Sequence, residues 1–146
     1  MFFSRFSPKI EDFNLVNKLA ELDTLFDPYP WKLDHWRAMI DSKDEVLFIL
    51  QDKDLLGWAV FKLIPSDCLA HLLKLLIHPD FRRKGYGEEL LRRSISELEK
   101  DNYLKFYLEV EKGNPAIFIY QKAGFITVHE ISNFYGQGRH AIAMSR

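Results

Sequence analysis

A single cysteine, Cys68, leaves this 146-residue chain no partner for an intramolecular disulfide and no thiolate cluster for zinc. The five histidines, His35, His71, His78, His129 and His140, are scattered and show no metal-ligand spacing, so no metal is expected. Charge of one sign is missing too. Twenty Lys and Arg face 21 Asp and Glu, for a net charge of −1. Such a balance gives no global electrostatic reason to bind nucleic acid or an anionic membrane. Long apolar runs are also absent. Residues 72–77 are broken by Lys74, and residues 1–8 hold only two adjacent aromatics. Both fall far short of the roughly 18–20 apolar residues of a spanning helix or of a leader pattern, so a soluble, cytoplasmic protein is expected. What is present is core material: 47% hydrophobic and 14% aromatic residues. That excludes a disordered chain. With no repeat, low-complexity tract or linker, residues 1–146 are expected to form one domain.

The apolar spacing predicts the elements. Residues 2–7 suit a short first strand. Ser7-Pro8 opens a helix over residues 10–26, with Leu15, Leu19, Leu22 and Phe26 on one face, and Asp27-Pro28-Tyr29-Pro30 stops it. A second short helix covers residues 31–40, with Trp36 and Ile40 on one side. Three strands then follow at residues 45–50, 55–64 and 69–77, joined by short turns that argue for an antiparallel meander. A basic, glycine-containing loop at residues 82–87 leads into a helix over residues 88–100. Leu91, Ile95 and Leu98 form its buried stripe, and Glu88–Arg92 and Glu89–Arg93 pair on its exposed side. Strand 103–110 alternates, with Leu104, Phe106, Leu108 and Val110 on one face and Tyr103, Lys105, Tyr107 and Glu109 on the other. Asn114-Pro115 starts a helix that runs to Ala123 and stops at Gly124. Strands at residues 125–131 and 141–144 flank a loop at residues 133–138. A helix between strands 69–77 and 103–110 implies a crossover and parallel pairing. The fold class is therefore α/β, a mixed sheet with a parallel step in its middle.

Three features carry chemistry. The first is strand, then Arg82-x-x-Gly85-x-Gly87, then helix. Unpaired N–H groups at a helix start, bare glycines and the charges of Arg82, Arg83 and Lys84 suit a pyrophosphate. The bland alternative is a tight turn with solvated basic side chains. A Walker loop and a dinucleotide fingerprint are both absent. The second is Glu109, an acid at the end of an apolar strand, which is either a general base or an ordinary residue on the polar face. The third is Tyr120, either a general acid or a core tyrosine beside Ile117, Phe118 and Ile119. Tyr29-Pro30-Trp31 either lines a groove or packs between helices. Cys68 has no paired histidine and is not expected to be a nucleophile.

In this order the elements and motifs resemble the GNAT (GCN5-related) N-acetyltransferases. Arg82-x-x-Gly85-x-Gly87 is similar to the family's [QR]-x-x-G-x-[GA], and Tyr120-Gln121-Lys122-Ala123-Gly124-Phe125 to its Y-x-x-x-G-F. Within the family the chain looks like the RimI-type enzymes, which acetylate the N-terminal alanine of ribosomal protein S18. That likeness rests on Pro30-Trp31, His78-Pro79-Asp80-Phe81, Leu108-Glu109-Val110, Asn133-Phe134-Tyr135 and Ala141-Ile142-Ala143-Met144. The resemblance implies a sheet that is mostly antiparallel, flanked by helices and split at a central parallel step that binds acyl-CoA. It implies acetyl-CoA as co-substrate, with its pantetheine arm on the backbone of Leu75, Leu76 and Ile77. Its pyrophosphate would lie on Arg82, Arg83, Lys84, Gly85, Tyr86, Gly87 and Glu88, and Asn114 would also contact it. Glu109 falls on the general-base position and Tyr120 on the general-acid position. Tyr29, Trp31 and Tyr135 would line the acceptor groove.

The chain departs from the RimI pattern at two charged places. Glu111 stands where the family has a basic residue, and Gly138-Arg139-His140 stands where it has an acidic pair. The expected acceptor is a protein N-terminus. A small amine (polyamine, amino acid or aminoglycoside) and a silent acyl-CoA-binding module are the alternatives.

Overall fold

The computed structural model describes residues 1–6 and 13–146. The chain runs β1 (Phe2–Arg5), α1 (Phe13–Phe26), α2 (Leu33–Asp41), β2 (Glu45–Gln51), β3 (Leu55–Ile64), β4 (Leu69–Ile77), α3 (Tyr86–Lys100), β5 (Lys105–Glu111), α4 (Ala116–Lys122), β6 (Ile126–Gly136) and β7 (Arg139–Ser145). The Ser7-Pro8 helix start lies outside the described residues. The strands form one sheet in the order β1-β2-β3-β4-β5-β7-β6. Only the β4–β5 pair is parallel, and α3 is its crossover, as the sequence implied.

Each face of the sheet has its own core. On one face Leu90, Leu91, Ile95 and Leu98 of α3 and Tyr120 of α4 pack on Phe48, Phe61, Leu72, Phe106, Leu108 and Val110. On the other, Val16, Leu19 and Ala20 of α1 and Trp36 and Met39 of α2 pack on Leu47, Ile49, Trp58, Val60 and Leu76. The expected alternation of the fifth strand holds for Phe106, Leu108 and Val110 but fails at Leu104, which is 67% exposed. Leu104 precedes the strand, in a connection turned by Asn102 at φ 67°, and both its N–H and that of Lys105 donate to the Cys68 carbonyl. Three further expectations are corrected. Glu88 pairs with Lys122 rather than Arg92, while Glu89 holds both Arg92 and Arg93. The third helix begins at Tyr86, two residues early. The loop at residues 133–138 is mostly strand: β6 continues to Gly136 and turns into β7 within a few residues, with Asn133 at φ 57° and its Oδ1 accepting from Gly138 N–H at 2.8 Å.

β4 carries a bulge. Phe61 pairs with Leu72 and Val60 with Lys74, so Leu73 is the extra residue. A bulge reverses the in–out parity beyond it. Ala70 and Leu72 face α3, whereas Leu76 packs against α1 and α2. Lys74 turns to the same side as Leu76 and is buried, 4% exposed. The residue read from sequence as a break in an apolar run is therefore a core ammonium. Its Nζ donates to Asp23 Oδ1 at 2.9 Å, Asp27 Oδ2 at 2.7 Å and the Tyr29 carbonyl at 3.3 Å. Asp23 is fully buried on α1 and also accepts from Trp31 N–H at 2.8 Å and Trp36 Nε1–H at 3.2 Å. Burial pushes the Asp23 carboxyl up, and the Trp31 N–H and Lys74 oppose that shift.

Two stability predictions follow from this packing. Lys74→Met strands Asp23 in an apolar site, so urea denaturation should show a loss of about 3–5 kcal/mol; a loss under about 1 kcal/mol would mean that the cluster is hydrated in solution. At Gly57 an added Cβ would lie 2.6 Å from the Leu76 carbonyl oxygen. Gly57→Ala should push β3 off β4 and lower stability by about 1–3 kcal/mol in the same assay.

Candidate active site

The parallel pairing is short. It runs from Leu69↔Lys105 to Leu72↔Leu108 and stops, although β4 continues to Ile77 and β5 to Glu111. β5 keeps β7 on its other side and β4 keeps β3. The two strands thus part immediately after the bulge. Beyond it, every second backbone N–H and C=O of β4 points away from β3 into the split. Leu75, Leu76 and Ile77 lie on this open edge. One acceptor is taken internally, since Arg82 Nε–H donates to the Ile77 carbonyl at 2.9 Å.

The loop after β4 ends beside the split. A turn of 3₁₀ helix, Pro79–Phe81, is capped by His78, whose Nδ1 accepts from Asp80 N–H at 3.2 Å. Arg83 (φ 60°) and Gly85 (φ 82°) then adopt left-handed conformations that roll the chain into α3. The first bond back into this turn runs from Glu89 N–H to the Gly85 carbonyl, 3.0 Å. The N–H groups of Arg83, Lys84 and Gly85 enter no described hydrogen bond, and those of Tyr86, Gly87 and Glu88 are first-turn donors that a helix leaves free. Nothing lies within 4 Å of where a Gly85 Cβ would stand. Gly87 has a packing role instead: its Cβ position is 3.3 Å from Ile119 Cδ1 and 3.5 Å from Ile77 Cγ1, which brings α3 close to α4 and β4. Six free donors with exposed Arg82, Arg83 and Lys84 around them suit a bound pyrophosphate.

Glu109 is the first β5 residue beyond the last parallel pair. It lies on the face opposite Leu108 and Val110. Its Oε2 is 2.6 Å from His71 Nε2, and the two side chains are 17% and 23% exposed. The Tyr107 ring meets the His71 ring edge-on at 5.0 Å. Burial pushes the Tyr107 phenol up, and the Glu109 carboxylate adds to that.

One turn of strand further on, Glu111 accepts from the Tyr29 hydroxyl and pairs with Arg139 Nη2 at 2.9 Å. These two donors hold its carboxyl below the usual carboxylate range. The Arg139 guanidinium lies 4.7 Å over the Tyr29 ring, and Tyr29 stacks on Tyr135 at 4.6 Å. Burial, then Glu109 and Glu111, push the Tyr135 phenol up to about 12. Trp31 stacks on His35 at 4.0 Å, with Lys74 Nζ 4.9 Å over its ring.

Tyr120 sits on α4 with its ring buried in the α3-side core. Its hydroxyl makes no hydrogen bond to the described residues. Desolvation first, and Tyr135 second, push its phenol far above the usual tyrosine range. Asn114 caps α4, its Oδ1 accepting from Ala116 N–H at 2.9 Å, so its amide NH₂ is the group left for a ligand.

The structure thus gathers Glu109, Tyr29 and Tyr135 around one end of the split and the 82–88 loop around the other. Four residues of this region were missed from sequence: His71, Asp23, Asp27 and Arg139. A signal existed for Asp23, since a lysine in an otherwise apolar strand needs a carboxylate, and Asp23 falls on the Leu19 face of α1. None existed for His71, whose nearness to Glu109 depends on the β4–β5 register. A cavity of about 270 Å³ lies elsewhere, along α3 and α4 between Arg92, Glu99, Lys122 and Arg146. It is lined by Glu88 and Glu99 against Arg92, Lys122 and Arg146, and holds neither Glu109 nor Tyr120. Among the described residues no helix is long and apolar enough to cross a membrane.

Known proteins are similar to this chain. The N-alpha-acetyltransferase of Saccharolobus solfataricus is 27% identical over 99% of this chain and 92% of its own. The [ribosomal protein bS18]-alanine N-acetyltransferase of Escherichia coli K12 is 31% identical over 73% of this chain and 72% of its own. An aminoglycoside 6'-N-acetyltransferase complexed with coenzyme A has the same fold, with a TM-score of 0.85 at 16% identity over 100% and 96% of the two chains. The family model "Acetyltransferase (GNAT) family" matches residues 16–125. With three-quarters of its length matched and the β4–β5 split in place, the chain belongs to the GNAT acetyltransferase family.

Proposed function

We propose that this acetyltransferase, acting as one domain over residues 1–146, moves the acetyl group of acetyl-CoA onto the α-amine of a protein N-terminus. The observation that carries the reading is the split itself, with free backbone donors at one end and a carboxylate at the other. The names of the relatives at 27% and 31% identity support the acceptor class.

In this reading Leu75, Leu76 and Ile77 pair with the pantetheine amides through the open edge of β4. The N–H groups of residues 83–88 hold the pyrophosphate. That places the thioester beside Glu109 and leaves the acceptor to enter past Tyr29, Trp31 and Tyr135. Glu109 takes the proton from the amine, directly or through water. The amine nitrogen bonds to the thioester carbon, the C–S bond breaks, and the Tyr120 hydroxyl gives its proton to the departing thiolate. A phenol raised by burial remains a competent donor here, because the same apolar surroundings raise the proton affinity of the thiolate. Alignment of amine and thioester supplies much of the rate, and no protein nucleophile is required.

The Glu111–Arg139 pair favours keeping a second acceptor in view. It reverses the RimI charge pattern at the groove, and a small polyamine suits Glu109 and Glu111 as well as a peptide terminus does. A panel decides: a peptide with free N-terminal alanine, the same peptide blocked, spermidine and lysine. Acetylation of the free peptide alone supports the N-terminal reading. Acetylation of spermidine or lysine retires it in favour of a small amine.

Glu109→Gln should lower kcat by about 10²–10⁴-fold with acetyl-CoA affinity unchanged, and Tyr120→Phe should lower kcat with the same unchanged affinity. Full turnover in either variant would remove that residue from the mechanism. Gly85→Glu should abolish CoA binding in calorimetry. Gly85→Ala, which carries only the backbone cost of about 1 kcal/mol at positive φ, should retain it. Equal affinities in the two variants would place the pyrophosphate elsewhere.

A further inference from the structure

His71 has no part in the assignment above, yet its Nε2 lies 2.6 Å from Glu109 Oε2, with the Tyr107 hydroxyl as the other hydrogen-bonding neighbour of that carboxylate. The pair stands at the fork. His71 is in the last stretch of parallel pairing, opposite Tyr107, and Glu109 is the first residue beyond it. The ladder up to Leu72↔Leu108 keeps the two backbones adjacent, which holds the imidazole and the carboxylate within reach of one another. His71 engages Oε2 of that carboxylate rather than Oε1.

We propose that His71 is a positioning residue for Glu109 and the acid-side switch of the enzyme. The inference rests on Glu109 being the base. With a neutral imidazole, Nε2–H donates to Oε2 and aims Oε1 at the acceptor. The carboxylate is then ionised. When His71 takes up a proton, the imidazolium clamps the same carboxylate as an ion pair and lowers its proton affinity, so it no longer serves as a base.

The other groups facing this pair leave that assignment intact. Lys62 of β3 is the register partner of His71 and is exposed. Tyr107 of β5 and Tyr135 of β6 both have raised phenol pKa values and stay neutral. Lys74, further along β4, is held by Asp23 and Asp27.

The test is the pH dependence of kcat between pH 5 and 9, at saturating acetyl-CoA, with the free N-terminal-alanine peptide and with spermidine. His71→Gln keeps a donor but cannot charge. Its acid limb should move down by about one pH unit or more, with the plateau kcat and both KM values little changed. His71→Leu removes the donor and should lower kcat at every pH by about tenfold or more. An acid limb shared by wild type and His71→Gln overturns the switch. An equal loss of melting temperature and of both KM values in the two variants, with the limb unmoved, makes His71 merely structural and overturns the proposal. Full activity in Glu109→Gln would instead sink the base assignment itself, whatever His71 does. A readout free of any acceptor is the ring-proton NMR titration of His71, identified by its loss in His71→Gln. It should differ between wild type and Glu109→Gln, and coincident curves overturn the pairing in solution.

Discussion

A buried ammonium needs its counter-charges in place, and the rest of the site depends on how Lys74 finds them. Its two carboxylates come from α1 and from the turn after it, Asp23 and Asp27, and its third acceptor is the Tyr29 carbonyl. Asp23 in turn holds Trp31 N–H and the Trp36 indole. One cluster therefore ties the end of α1, the 27–31 segment and the start of α2 to a single point on β4. A hydrophobic contact would glue these elements without choosing a register. A charge with three directed bonds permits one arrangement, because any slip leaves an unpaired ion in an apolar setting. The turn that carries Tyr29 and Trp31 is fixed over the split for this reason.

Lys74 faces that cluster only because Leu73 is bulged. Were Leu73 regularly paired instead, the parity of Ala70 and Leu72 would continue and Lys74 would point at α3. The same bulge marks where β4 and β5 cease to pair. An insertion that bends one strand therefore does two things at once. It opens a free backbone edge on β4, and it sends an ammonium to the opposite face to anchor the acceptor side. The parallel step is the one place in the sheet where this can happen, because β5 is secured independently by β7.

Much of this was legible in the sequence, and what was not has a common cause. Strand and helix order followed from apolar spacing, and α3 as a crossover gave the parallel pair. The glycine loop was legible because Gly85 and Gly87 are local features, although their roles differ: Gly85 supplies a positive φ and Gly87 a close approach to Ile119 and Ile77. The Asn114 cap was legible for the same local reason. Lys74, His71 and Arg139 were misread or missed because each matters through a partner more than 25 positions away. Leu104 misled because its apolar character suggested a buried strand face, while the turn at Asn102 places it outside the ladder. The 133–138 segment looked like a loop by composition, yet its backbone is claimed by β7.

The groove has an electrostatic problem that its tyrosines address. An amine acceptor arrives as a cation, and carboxylates attract it, but only the neutral amine can attack a thioester. Glu109 and Glu111 both face this region, and in the proposed mechanism they divide the two tasks. Glu111 is spent: Tyr29 and Arg139 hold it ionised, with its carboxyl kept below the usual range. It offers field but little basicity. Glu109 has His71 and Tyr107 beside it in place of an arginine, and in the proposed mechanism it is the carboxylate that accepts a proton. Tyr107 and Tyr135 have phenols raised by burial, so they stand beside Glu109 without adding negative charge. Two carboxylates of one strand, two residues apart, thus acquire opposite capacities from what stands next to each. In the proposed mechanism the reversed Glu111–Arg139 pair keeps Glu111 from competing with Glu109 for the proton that the reaction releases.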